Sequence, residues 1–364
     1  MDGAEPVRVA RGVPLLIVRA FRSLRTAAIH ALYYSGVLSL LQVILLRRRA
    51  VVLMYHRVLT AEQQQHVSSN PGIVITRETF VRQMAYLKRA FKVLSVTEFA
   101  HQIREGVPFA DSSCLITFDD GWRDNFENAW PVLQSESLPA VIFLPVNYVG
   151  TARSFWRETL TGLLVHILDE LRRRPERRTV YAAILQRAEL AHVLDLTDAD
   201  PRAAISEALD PLKEHRIAEI NALVDALALA AGVNAAALTA ADRLMDWAEA
   251  EAMSRDGIAF GGHGAEHRLL GEIPEHEVDA EVITMTAVMN KRLPVPVPAI
   301  SYPNGSWTPA VIEKVRRAGV ALGFTTEPGT VAVGDEPLTI RRVNISEDMT
   351  RTTPMFLARI LGLV

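Results

Sequence analysis

Along most of its length this chain alternates short apolar runs with segments of helical spacing, and that alternation leaves few folds open. The runs "AVVLMYH" (50–56), "CLITF" (114–118), "AVIFLP" (140–145), "GIAFGGH" (257–263), "PAISYP" (298–303), "ALGFTT" (321–326) and "LTIRRV" (338–343) read as buried strands. Between them "RETFVRQMAYLKRA" (77–90), "DNFENAWPVLQSE" (124–136), "PEHEVDAEVITMTAVMNKRL" (274–293) and "TPAVIEKVRRAG" (308–319) carry helical periodicity. Strands that are apolar on both faces belong in a parallel sheet covered by helices. Seven or so such units predict an α/β fold, a distorted (β/α)7-type barrel, whose chemistry sits at the carboxyl ends of the strands. One region breaks the rhythm. Residues 158–243 are rich in Ala, Leu and Arg and hold no strand-like run, so they read as a helical insertion between two barrel parts, 50–157 and 244–350. As a loop after a barrel strand, the insertion is expected to shape the mouth of the site. Its "RRRPERR" (172–178) reads as a solvated inter-helix turn or as a cationic patch for an anionic substrate or membrane. Residues 351–364 form a C-terminal tail or helix.

With 364 residues, 49% of them hydrophobic, a full core is affordable in sequence terms, and the net charge of −3 leaves no basic surplus for general nucleic-acid binding. The single cysteine, Cys114, excludes an internal disulfide and sits in an apolar run, which assigns it to packing. The first 49 residues form a helical leading segment. Thr26 to Leu46 contains no Asp, Glu, Lys or Arg and reaches bilayer-spanning length. Basic residues flank it on both sides, Arg8, Arg11, Arg19, Arg22 and Arg25 before and Arg47, Arg48 and Arg49 after, whereas a spanning helix shows a one-sided bias. No small-residue cleavage site precedes Arg47, which argues against a secretory signal. Two readings remain. In one, residues 26–46 lie on a membrane surface, the protein being cytoplasmic and peripheral to the inner face. In the other, the helix packs on the domain with His30, Ser35, Ser39 and Gln42 on its wetter side.

Three strand ends carry candidate chemistry. After the buried run 114–118, Asp119 and Asp120 project to opposite sides, so the two carboxylates have different partners. If Asp120 ligates a cation, Asp119 can lean toward the water activated there as its base, while Gly121 lets the backbone turn sharply. For the tripeptide alone, a turn without chemistry fits as well. His263 and His267 are four residues apart, a spacing that on a helical turn puts both imidazoles on one face. Two His and one carboxylate leave open positions on a metal. At a third strand end, "SYPNG" (301–305) forms a rigid turn able to aim a backbone N–H at a reacting carbonyl.

In that order, "TFDDG" (117–121), "HGAEH" (263–267) and "YPNG" (302–305) resemble the successive motifs of the NodB-type polysaccharide deacetylases, carbohydrate esterase family four. "LMYHRV" (53–58) and "IRRVNI" (340–345) resemble the subgroup that begins with a YH strand. The likeness runs from Val51 to Ile345 and skips the insertion. It implies a divalent metal, usually Zn2+, and a hydrolase that removes N-acetyl or N-formyl groups from amino-sugar units of a polysaccharide, glycolipid or precursor. Carried over by position, Asp119 is the general base, Asp120, His263 and His267 are the metal ligands, and Tyr302 and Asn304 meet the substrate, Asn304 through its backbone N–H.

Two positions depart from the family pattern. Gly264 stands where a Ser or Thr normally fixes the loop, and Ser301 stands where an Arg often orients the base. Arg342, or Arg341, from the last strand is the candidate replacement; the alternative for either is a surface charge. The family's late His is also absent, since no His follows Leu322. His56 ends the first strand, which neighbours the last in a closed barrel, so it is the candidate proton donor to the leaving nitrogen. A strand cap or a place around the metal are its other readings. Trp122 and Trp156 are candidate walls for a sugar ring, or core residues. Two other functions stay open, a non-sugar amidohydrolase on the same barrel and a glycan-binding protein without catalysis. Four intact and costly polar groups speak against the latter.

Overall fold

The structure, a computed structural model, describes residues 15–294 and 297–364; Arg8 and Arg11 of the leading basic run lie outside the described residues, as do the side chains of Arg19 and Arg22. Its strands are β1 (Ala50–Tyr55), β2 (Arg57–Leu59), β3 (Val74–Thr76), β4 (Lys92–Val93), β5 (Ser113–Phe118), β6 (Val141–Leu144), β7 (Ala259–Gly262), β8 (Ala299–Ser301), β9 (Leu322–Phe324), β10 (Thr330–Val331) and β11 (Val343–Asn344). The main sheet runs β10-β1-β5-β6-β7-β8-β9, with β11 also on β1 and β4 also on β5. Every pairing in it is parallel except β1 with β10. Strand β1 is buried along its whole length and so are β5 and β6, as continuous apolar runs in a parallel sheet require.

Alternation divides these strands between two layers. Val51, Leu53 and Tyr55 of β1, with Ile116 and Phe118 of β5, pack under the outer helices. Val52, Leu115, Val141, Phe143 and Phe324 turn to the inside of the curl. Phe99, on the helix Val96–Glu105, stacks on Phe109 at 5.3 Å and meets Phe324 at 6.4 Å, so this helix plugs the inner layer. The sheet curls until its edges meet through residues 340–344. Ile340 donates to the Gly323 carbonyl of β9 and accepts from the Thr325 amide, and three residues later Val343 pairs with Leu53 of β1. The first and last strands are therefore neighbours. "LTIRRV" is not one strand, because a segment that serves both sides of a seam makes isolated bonds to one edge before it reaches the other.

The helix Arg77–Ala90 has the bounds its periodicity predicts, with Thr76 accepting from the Thr79 amide as its cap. Between β6 and β7 lie a helical insertion from Trp156 to Leu238, with its own core including Leu160, Leu164, Ile167, Tyr181 and Leu185, and then the helix Trp247–Arg255. Its arginine run is an inter-helix turn in which Arg172, Arg177 and Arg178 pair with Asp169, Glu170 and Asp195 of the same region. At the other end of the chain, the helix Thr353–Ile360 buries Phe356 and Leu357 in the main core.

The leading segment differs from its expectation in two ways. It is two helices, Leu15–Tyr34 and Val37–Leu45, and the stretch Ser23–Tyr34 makes an 81° bend with the second across Gly36, whose φ of 81° suits glycine. No single helix among the described residues is long and apolar enough to cross a membrane. Its wetter side is also only half as expected. Gln42 is buried and donates to the Ala90 carbonyl and to Ser112 Oγ, and His30 is half-buried beside Thr352, so two of the four residues expected on the wetter side face the protein. Ser35 and Ser39 are exposed as expected.

Candidate active site and metal centre

Strand β5 delivers the two aspartates to opposite surroundings. Asp119 is buried and accepts a two-pronged ion pair from Arg342, Nη1 to Oδ1 at 2.8 Å and Nη2 to Oδ2 at 2.6 Å, with Ser301 Oγ on Oδ2 at 3.1 Å. Burial alone would raise this carboxyl, but the Arg342 guanidinium, with His263 behind it, outweighs burial and holds it below the ordinary range. Arg342 is fully buried and is itself aimed by the Thr325 carbonyl and Thr117 Oγ. Arg341 is exposed next to Glu327, so Arg342 alone replaces the Arg missing at Ser301.

Past β5 the backbone turns back through left-handed conformations at Asp120 (φ 72°) and Gly121 (φ 67°). A Cβ on Gly121 would lie 2.3 Å from Leu144 Cδ2, so only glycine fits there. The turn sets Asp120 Oδ1 at 3.4 Å from His263 Nε2 and 3.2 Å from His267 Nε2, and all three donor atoms lie within 4.8 Å of one another. His263 Nδ1 is 2.7 Å from the Ser301 carbonyl, which can only accept, so the ring proton sits on Nδ1 and the Nε2 lone pair faces the cluster. This donor set, two imidazoles and one carboxylate with one ring oriented from behind, fits a divalent cation. Burial would raise Asp120 and lower His263, yet the hydrogen bonds between them reverse both, leaving Asp120 well below and His263 above the ordinary value. Carboxylates that favour a proton on His263 equally favour a cation in its place.

The His263–His267 segment is not a helical turn. It is an irregular loop in which Gly264 (φ 74°) and His267 (φ 54°) are left-handed. Glu281, on the helix Glu275–Arg292, accepts from the Ala265 and Glu266 amides at 2.7 and 2.9 Å and so supplies the fixing bond that Gly264 cannot. A Cβ on Gly264 would already be 3.0 Å from that carboxylate. Glu281 was legible only as an acidic residue within the apolar stripe of Val278, Val282 and Met285. Phe155, also unforeseen, packs its ring 4.5 Å from that of His267. Asp120, His267 and Asn304 (φ 54°) place one left-handed non-glycine residue in each motif, the kind of local strain that concentrates at working sites.

Several expected residues have other surroundings. Trp122 is fully buried and cannot wall a sugar ring: its indole N–H donates to Asp120 Oδ2 at 2.9 Å, and the Arg57 guanidinium lies 4.3 Å over its ring. Arg57 is held by Asp124 at 2.9 Å, by Asp242 and by Ser69. Asp242 lies where the chain leaves the helical insertion, and the residues that follow bond the motif turn, the Arg243 carbonyl accepting from the Arg123 amide and Met245 donating to the Gly121 carbonyl. Tyr302 is also fully buried, its hydroxyl donating to the Leu338 carbonyl at the barrel seam, and does not face substrate. Trp156 is half-buried against the insertion's core. Asn304 is exposed, and its amide has no hydrogen-bond partner among the described residues, as an oxyanion donor requires. His56 lies between β1 and β2 with a buried Nδ1 that no protein group meets. Burial lowers its pKa and outweighs the opposing pull of Asp120 and Asp119, so the resting ring is neutral.

Because the indole N–H occupies Asp120 Oδ2 and leaves Oδ1 to the cluster, Trp122→Phe should weaken zinc binding by about tenfold in a chelator competition while keeping the fold. Unchanged affinity would reduce Trp122 to packing.

Residues 192–323 match the family model for polysaccharide deacetylase, a stretch that begins inside the insertion, takes in His263, His267 and residues 302–305, and leaves out Asp119 and Asp120. The "Putative polysaccharide deacetylase YxkH" of Bacillus subtilis (strain 168) is 26% identical over 101 residues, which are 28% of this chain and 36% of that protein. The alignment thus spans about a third of this curated relative. The Streptococcus pyogenes deacetylase PplD, solved in complex with acetate, superposes with a TM-score of 0.54 at 16% identity, covering 86% of this chain and 98% of that one. IcaB from Ammonifex degensii gives 0.54 at 18%, covering 86% and 97%. The superpositions show the fold of these deacetylases, and the family match covers residues 192–323.

Proposed function

We propose that this chain, with its polysaccharide deacetylase fold and family match, is a hydrolase that removes an N-acetyl or N-formyl group from an amino-sugar unit of a polysaccharide, glycolipid or precursor. The observation that carries this is the pairing of a carboxylate clamped by Arg342 with a cluster formed by Asp120, the next residue of the same strand end, and by His263 and His267 from the end of β7. A divalent cation held by those three side chains, zinc by preference, would polarise the acyl carbonyl and make water acidic at the site. Asp119, ionised and rigid, takes the proton of the attacking water. The exposed Asn304 amide donates to the oxygen that becomes negative as water adds. The C–N bond then breaks, and the leaving nitrogen must gain a proton because an amine anion is too basic to depart. His56, neutral at rest and unpartnered at Nδ1, relays that proton from Asp119, so the proton lost by water ends on the amine.

Zinc-loaded protein incubated with N-acetylated and N-formylated amino sugars, free, polymeric and lipid-linked, should release acid, and a chelator should stop it. Release from a simple non-sugar amide alone would make it a different amidohydrolase. Glycan binding without release would make it a binding protein. The relay has its own test. His56→Ala should retain metal yet lose more than about tenfold in turnover on amides, with far less loss on an ester whose leaving group departs unprotonated. Equal loss on both would move His56 to substrate or metal binding.

A further inference from the structure

The second leading helix turns a polar side chain inward and several apolar ones outward, and nothing in the proposed hydrolysis uses it. On Val37–Leu45 the buried positions are Leu38 and the polar Gln42, while Leu40, Val43 and Ile44 are 61%, 55% and 58% exposed. The preceding helix adds Leu24 at 67% and Tyr34 at 78%. Scattered exposed apolar residues are ordinary, but a contiguous set on an uncharged helix whose polar side chain is turned inward calls for a covering partner. The charge around the patch has one sign. Residues 6–61 contain no Asp or Glu, and Arg25, Arg47 and Arg48 are exposed at its margins without an ion pair among the described residues. A second copy of the chain, meeting this face to face, would bring those arginines against their own like.

We infer that these two helices dock on an anionic lipid bilayer, apolar face in the acyl boundary and arginines among the headgroups. No single helix among the described residues is long and apolar enough to cross, the pair passes that test only together across its 81° bend, and arginines flank it on both sides, which places the pair in the interface. The second helix lies under the amino ends of the strands: Gln42 bonds Ala90 and Ser112, and the Leu46 carbonyl accepts from Ser112. Asp119 and Asp120 follow the carboxyl end of β5, six residues away, roughly 20 Å at strand rise. Docking therefore leaves the site open on the side away from the lipid.

Full-length protein should sediment with vesicles of two parts phosphatidylcholine to one part phosphatidylglycerol and stay largely free with phosphatidylcholine alone. Val43→Glu with Ile44→Glu should cut partitioning more than about tenfold, with circular dichroism and hydrolysis of a water-soluble substrate unchanged. Arg47→Gln and Arg48→Gln should each cost about fivefold, on the anionic vesicles only. Equal binding to both vesicle types, or glutamate variants that bind like the parent, would overturn the inference. So would a concentration-dependent dimer that the glutamate pair dissolves while vesicles are ignored, since the partner would then be a second copy.

Discussion

Asp119→Asn should lower turnover by about a hundredfold or more while leaving the metal bound, because an amide cannot take the proton from water and the three ligand atoms belong to other residues. The same substitution strips a fully buried guanidinium of its counter-charge. Breaking such a pair from one side costs roughly 3–5 kcal/mol, so the variant should also melt at lower temperature, and turnover must be compared well below that point. Arg342→Lys separates the two effects. A single ammonium cannot hold both carboxylate oxygens together with Thr117 and Thr325, so Asp119 loses part of what keeps its pKa down. A base works only when ionised, so activity is present above its pKa, and raising that pKa moves the acidic limb of the pH profile to higher pH. The expected result is a lower kcat, little change in KM and that displaced limb. Near-normal turnover in Asp119→Asn would show that some other group takes the proton.

What could be foreseen follows the range of the forces involved. Helices such as 77–90 and the all-buried strands β1 and β5 were legible because periodicity directly records which sides are covered. That Asp120, His263 and His267 would come together was legible because they sit at strand ends, where a parallel barrel collects side chains. The contact of Arg342 with Asp119 was inferable from barrel closure, since it needs only that first and last strands be neighbours. The aromatic positions were not. At a left-handed turn, adjacent residues point in directions that no simple period describes, so Trp122 and Tyr302 gave no sign that one faces Arg57 and the other the barrel seam. Glu281 and Asp242 act across long stretches of chain, and a lone buried carboxylate becomes intelligible only when the amides or guanidinium it serves are in place. The second leading helix is a different case. Helical spacing shows that two faces differ but not which one turns inward, and here the buried face carries Gln42 beside Leu38 while Leu40, Val43 and Ile44 face outward.

A last expected result concerns Glu158, in the first turn of the helix that opens the insertion. It is buried near Arg57, Asp242 and Asp120, with Ser69 Oγ 3.3 Å from its carboxyl. Burial, then the negative charges of Asp242 and Asp120, push its pKa up to about 8 against the opposing pull of Arg57. In the unfolded chain it would titrate near the ordinary 4.5. A folded-state pKa above the unfolded one means a contribution fully present below about pH 4.5 and lost as pH rises toward 8, because the unfolded chain can release a proton that the folded one must keep. At 1.36 kcal/mol per unit, the loss is on the order of 5 kcal/mol. Glu158→Gln holds the same shape without the proton, so the two proteins should unfold at similar urea concentrations near pH 5 and diverge steadily, the glutamine variant being the more stable at pH 9. The comparison belongs in chelator, since zinc at Asp120 would cancel one of the charges that raise Glu158 and should narrow the gap. Parallel loss of stability in both proteins between pH 5 and pH 9 would mean that Glu158 is ionised in the folded chain and that Arg57, not burial, governs it.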